Sequence, residues 1–223
     1  MKVLIACEES QRVCIEFRRL GHEAYSCDII ECSGGHPEWH IQQDVLPLLN
    51  GNCEFETCDE ALHTIDGKWD MIIAFPPCTK TTNAGARHLF AGGRLNIKRY
   101  YDGLCGKALF EAIRRAECGK IAIENPTPSV IFDYPAPTQI IQPYEYGDSA
   151  TKRTCLWLKN MCLLKSTNAV PRPEYREIIQ SNGKIRKTCW EMEQKGGKHR
   201  AENRAKTFPG IARAMAEQWG GKA

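Results

Sequence analysis

Asp70-Met71-Ile72-Ile73-Ala74-Phe75-Pro76-Pro77-Cys78 decides how this chain is read. An acidic start leads into an apolar run of strand length, and two prolines then stop it. Proline lacks the N–H that a sheet ladder needs and fixes its own φ, so Cys78 leaves the strand on a stiff turn. In open α/β sheets, ligands bind at the carboxyl ends of strands. A second segment of the same shape follows, in which Lys120-Ile121-Ala122-Ile123 delivers Glu124-Asn125-Pro126 at its own carboxyl end. Adjacent strand ends would carry a thiol and a carboxyl group into one crevice, the side-chain pair of covalent chemistry with a thiolate nucleophile.

On either side of these two segments, strands and helices alternate. Val3-Leu4-Ile5-Ala6 reads as a buried first strand, and residues 10–20 carry helical periodicity (Val13, Phe17, Leu20) closed by Gly21. Ala24-Tyr25-Ser26-Cys27 predicts a second strand ending at Asp28, and Ile41-Gln42-Gln43 a third ending at Asp44. Residues 45–66 are expected to hold a helix before the Asp70 strand, and 98–117 a long amphipathic helix before Ile121. Gln139-Ile140-Ile141-Gln142 and Thr154-Cys155-Leu156-Trp157-Leu158 predict a last, hairpin-like pair, and 211–219 a closing helix. The alternation predicts one α/β domain over residues 1–223, a mostly parallel sheet with helices on both faces.

Composition fits that class. Hydrophobic residues at 42% and charged residues at 26% are ordinary for a globular protein. No apolar run approaches the roughly 20 residues that span a bilayer, so no membrane association is expected. The chain enters a strand at once, without a signal-peptide pattern, and its 12 cysteines then suit a reducing, cytoplasmic setting better than a disulfide scaffold. A net charge of +3 mildly favours a polyanionic partner. Metal binding is not expected: Cys32, His36 and His40, or Cys53 with Cys58, lack the tight Cys-x-x-Cys repetition of a structural zinc site.

Pro76-Pro77-Cys78 and Glu124-Asn125, each behind a hydrophobic strand and in this order, resemble the core of the DNA cytosine (carbon-5) methyltransferases. Ala84-Gly85 after the cysteine strengthens the likeness, whereas Pro126 stands where that family usually has valine. The resemblance implies a Rossmann-like class I S-adenosylmethionine-dependent methyltransferase fold, with Cys78 the nucleophile and Glu124 the group that holds the base. Thr151-Lys152-Arg153 resembles the family's Gln-X-Arg-X-Arg element with Arg153 at its first arginine, which hydrogen-bonds the base near the glutamate. The second arginine position is Cys155 here. Residues 208–216 resemble the final family helix. The implied substrate is duplex DNA with a flipped cytosine.

By the same likeness, S-adenosylmethionine is expected against Ala6, Glu8, Asp28, Asp44 and Pro76. A carboxylate such as Asp28 offers paired acceptors to ribose hydroxyls, and Asp44 would accept from the adenine amino group. The first loop departs from the family, since Cys7-Glu8-Glu9-Ser10-Gln11 contains no glycine where a glycine-rich turn is usual. In place of a target-recognition domain stands a basic interval at 159–207, with Lys184, Arg186, Lys187, Lys195, Lys198, Arg200, Arg204 and Lys206 around Trp190. Such cations suit phosphate contacts. The loop at 79–94, with Arg87, His88, Phe90 and Gly92-Gly93, is a second contact segment, expected to close over the base. Other readings stay open: the same chemistry on RNA or a nucleotide, a non-catalytic binder of nucleic acid or cofactor, or a thiol redox or hydrolytic enzyme.

Overall fold

The computed structural model describes residues 1–86, 88–174, 176–179, 182–188 and 205–221. Among these, seven strands form one sheet: β1 (Lys2–Ala6), β2 (Glu23–Asp28), β3 (His40–Gln42), β6 (Met71–Ala74), β9 (Ile121–Pro126), β10 (Gln139–Ile141) and β11 (Thr154–Lys159). Their spatial order is β10-β11-β9-β6-β1-β2-β3. β1 pairs in parallel with β2 and β6, and β9 with β6, whereas β11 runs antiparallel between β9 and β10. The fold is therefore α/β with a mostly parallel sheet, as the alternation predicts.

Parallel strands covered on both faces are apolar on both faces, and two cores follow. On one face Leu4, Ile72, Ile123 and Trp157 pack with Phe110 and Ile113 of α3 (Ile97–Arg115) and with Trp69. On the other, Val3, Ile5, Ile73 and Leu156 pack with Val13 and Phe17 of α1 (Arg12–Arg19) and with Ile211 and Met215 of the last helix, Pro209–Met215. That helix is α4 here, because a short α2 (Asn83–Ala86) precedes α3. α4 continues into a wider turn at Ala216–Gly220.

The helix expected within 45–66 does not form. A single 3-10 turn at Leu46–Leu48 is followed by a hairpin of β4 (Cys53–Glu56) and β5 (Leu62–Ile65). The physical reason is a period of two: Glu54 and Glu56 face solvent while Phe55 between them is buried. The segment after Cys78 is likewise structured, with α2 and a small hairpin of β7 (Phe90–Ala91) and β8 (Arg94–Leu95) turned by Gly92-Gly93. Both glycines have positive φ, as that tight turn requires. The pair β10 and β11 forms as expected, although twelve residues rather than a tight turn connect them.

Within 159–207, β12 (Arg176–Ile179) and β13 (Ile185–Thr188) form an antiparallel hairpin. Trp190, Lys195, Lys198, Arg200 and Arg204 lie outside the described residues, as does Arg87. Among the described residues no helix is long and apolar enough to cross a membrane.

Candidate active site

Strand order reverses at β1, because the chain moves from β1 toward β3 on one side and reaches β6 and β9 on the other. Loops at such a point diverge and open a crevice at the carboxyl ends. Here the flanking loops begin at Cys7 and Phe75, and the Phe75 N–H donates to the Ala6 carbonyl at 2.9 Å. Ala6 and Pro76 are buried at the crevice floor.

The Cys78 turn is fastened to the loop that follows Glu124. Ala74 stands opposite Ile123 in register, so the two strands end side by side. Beyond them Ser129 donates to the Thr81 carbonyl at 2.7 Å and Asn83 to that of Thr127 at 3.2 Å, and Thr82 bridges Pro128. Thr81 and Thr82 both donate to the Cys78 carbonyl at 3.1 Å. Arg99 of α3 reaches the Gly85 carbonyl at 3.0 Å and stiffens the same turn. Cys78 itself is half-buried. Tyr134, whose hydroxyl is pushed up by burial, senses its charge.

Glu124 is 9% exposed, and among the described residues its Oε1 has no hydrogen-bond partner. The nearest cation is the Lys152 ammonium, 3.7 Å from Oε1. At that distance the contact is ionic rather than a hydrogen bond. An orphaned carboxylate oxygen is costly to bury, so this one is poised for a donor that a ligand would bring. Arg153, the expected cation, is exposed. It acts instead on Cys155, whose thiol is pushed up by burial and drawn back by Thr127 and Arg153. In the β9–β11 register Leu156 faces Glu124 and Cys155 faces Asn125, and Lys152 and Arg153 both lie just ahead of β11, whose first residue is Thr154.

The glycine-free first loop is built differently from the expectation. Cys7 and Gln11 adopt left-handed backbone at φ 58° and 56°, without glycine. Glu8 turns inward: it is 3% exposed, and its carboxylate accepts from the N–H of Val13 at 2.7 Å and of Cys14 at 3.2 Å. Burial raises its pKa to about 8 against the pull of those two bonds. Both Glu8 oxygens therefore serve the start of α1.

Asp28 and Asp44 meet around Cys7. Burial first, then the charges of Asp28 and Asp44, push the Cys7 thiol up to about 12. Asp28 is half-buried, its carboxyl raised by burial and partly held down by the Ile30 and Ile29 N–H groups and by His40. Asp44 is exposed and accepts from the Leu46 N–H at 3.0 Å. The next residues after Asp28 are apolar yet solvent-facing, Ile29 at 73% and Ile30 at 53% exposure. A buried network holds that turn. The His40 ring meets the Ile30 carbonyl and Ser26, and Gln11 meets Ser26 and His36.

Sequence reasoning missed Lys152 and Cys7. Lys152 is one residue from Arg153, and only the tertiary contact with Glu124 sets it apart. Two open depressions, of about 430 and 500 Å³, lie elsewhere, one beside Asp148 and Arg213 and the other beside Trp157 and Pro135. No protein-family model matches this chain, and no curated protein matches it.

Proposed function

We propose that this chain is a class I S-adenosylmethionine-dependent methyltransferase that methylates carbon 5 of cytosine in DNA through a covalent bond to Cys78. The observation that carries this reading is the pairing of two strand ends. One bears Cys78 after two prolines; the other bears Glu124 with a buried, unpartnered oxygen.

The cofactor end fits in part. Asp28 and Asp44 gather at adjoining strand ends around Cys7, and exposed Ile29 and Ile30 offer apolar surface beside the carboxyl group. Asp28 would accept from ribose hydroxyls and Asp44 from the adenine amino group. Glu8 does not fit as a direct contact, because its oxygens are spent on α1. Bound there, S-adenosylmethionine would supply an electrophilic methyl group.

Carbon 5 of cytosine is a weak nucleophile. The Cys78 thiolate would form an S–C6 bond; the C5–C6 pair becomes a C4–C5 double bond, the C4–N3 pair moves onto N3, and N3 takes a proton from solvent. Glu124 would hold the amino group and protonated N3, offsetting charge as it develops. After alkylation at carbon 5, N3 returns its proton to solvent, and loss of the carbon-5 proton restores the C5–C6 double bond and expels the Cys78 thiolate. Both faces of the ring must be reached, which requires the base to leave the stack.

DNA carrying 5-fluorocytosine tests this. Fluorine cannot depart as a proton, so the Cys78 adduct should persist as a denaturation-resistant complex, absent in Cys78→Ser. Methyl transfer that survives Cys78→Ser would end the covalent mechanism and point to amino-group methylation.

A further inference from the structure

Residues 90–104 carry a row of large apolar side chains into solvent. Phe90, Leu95 and Leu104 are exposed, Ile97 at 76% and Tyr101 at 65% most of all. We propose that this row is a stacking platform for the unpaired bases of a single strand of DNA. The inference rests on the proposed cytosine methylation for the strand's route to Cys78, and it names an opened strand rather than an intact duplex as the form engaged.

Local structure aligns these side chains. Phe90 stands opposite Leu95 in the β7–β8 register, and directly opposed residues of an antiparallel pair share a face. Asn96 then caps α3, its side chain accepting from the Arg99 N–H at 3.0 Å. Ile97, Tyr101 and Leu104 follow at i, i+4 and i+7, one stripe of that helix. The neighbouring stripe is the one that packs: Tyr100 stacks on Phe132, and Gly103 lies against the same ring. α3 therefore buries one side near its start and leaves a second apolar side to water. Apolar surface left exposed in this way marks an interaction site.

Charge selects the occupant. Arg94 and Lys98 adjoin the row and are exposed, whereas Asp102, the one acidic residue in 79–107, is held by Lys80 at 3.7 Å. A surface that is apolar with cations beside it suits a partner with flat apolar faces and anionic links. Unpaired bases and their phosphates supply both, and stacking on Phe or Tyr tolerates any base. An intact duplex hides its base faces and offers mainly phosphates and groove edges. Position agrees with this choice. α3 holds the residues just after Cys78, through Asp102 on Lys80 and Arg99 on the Thr79 and Gly85 carbonyls, at 3.4 and 3.0 Å. A strand stacked along the row therefore runs beside the turn that presents the nucleophile.

An oligothymidylate of about 12 nucleotides tests the platform alone, since it holds no cytosine and needs no cofactor. Fluorescence anisotropy should show it bound more tightly than a duplex of the same length. The double variant Phe90→Ala/Tyr101→Ala should weaken that binding about 10- to 100-fold, the usual loss for stacking contacts, and duplex binding far less. Leu62→Ala, which removes an exposed apolar side chain on β5, should change neither. Tyr101→Trp should keep the affinity, and its added emission should be quenched as the strand binds, the signature of stacking. Single-strand affinity unchanged in the double variant, or emission of Tyr101→Trp unquenched by bound strand, overturns the platform. An equal loss on single strand and duplex does the same. So does a natural chain that sediments as a dimer and becomes a monomer in the double variant, because the row would then be a contact between copies. Oligothymidylate bound and quenched as expected, with no methyl transfer to cytosine DNA, would support the platform and remove the methylation reading alone.

Discussion

The carboxylate of Glu8 receives the backbone N–H of Val13 at 2.7 Å, and that bond lets a turn without glycine start a helix. The first N–H groups of a helix have no partner within it. The residue at the cap position, Gln11, is left-handed and sends its side chain to Ser26 and His36 instead. Glu8, three residues earlier, fills the role from below.

A pH dependence follows. The folded-state pKa of Glu8 is raised to about 8 from 4.5. Folded protein therefore binds more protons than unfolded chain between those values. The favourable contribution is fully present below pH 4.5 and is lost as pH rises through about 8. A tenfold change in proton affinity is worth about 1.4 kcal/mol, so the effect is on the order of a few kcal/mol. Urea midpoints should fall between pH 5.5 and 8.5 more steeply for the natural chain than for Glu8→Gln. Equal slopes in the two proteins would show that Glu8 does not titrate in this window.

Gly85 tests whether the Cys78 turn is held by close packing. A Cβ there would collide with the Thr79 carbonyl oxygen, which cannot move without moving the turn. Gly85→Ala should cost about 1–3 kcal/mol, as other overpacking changes do. It should also lower the yield of the 5-fluorocytosine adduct by displacing Cys78. A variant with unaltered melting temperature and adduct yield would refute the packing argument.

The two strand-end carboxylates test the cofactor end separately. Asp28→Ala should weaken S-adenosylmethionine binding by about 1–3 kcal/mol, the loss typical of a hydrogen bond to a charged group. Asp44→Ala should act in the same direction. Isothermal calorimetry measures both, and an intact chain that gives no binding heat would remove the cofactor from the proposal.

The strand ends at Cys78, Glu124, Asp28 and Asp44 were legible because apolar runs closed by proline or acid have one reading in an α/β alternation. The helix expected within 45–66 came from the alternation of elements, whereas the decisive local signal is the period of two around Phe55. The choice between Lys152 and Arg153 was not legible at all. It depends on how the residues just ahead of β11 are placed against the end of β9, a long-range contact that leaves no mark in local sequence. Glu8 failed as a cofactor contact for a similar reason: without glycine, the turn needed an internal cap, and the nearest carboxylate became it.

The segment that follows Cys78 concentrates positive charge. Residues 79–107 contain six lysines and arginines but one acidic residue, Asp102, so the segment that follows Cys78 is strongly one-signed. Asp102 is paired with Lys80 at 3.7 Å. Arg94 and Lys98 are exposed at the end of β8 and the start of α3, with Phe90 on the facing strand at 54% exposure. Cations so placed fit phosphates on either side of a base being drawn toward Cys78, and they would carry no sequence information. Replacing both Arg94 and Lys98 with alanine should weaken binding to all duplex sequences alike. It should also reduce the slope of log affinity against log salt by about 2, close to one counterion for each phosphate that is no longer neutralised. Fluorescence anisotropy over a salt series measures both quantities. A slope identical to that of the natural chain would mean that these two cations do not touch the backbone. Duplex contact would then fall to Lys184 and the β12–β13 hairpin, where the same pair of measurements applies.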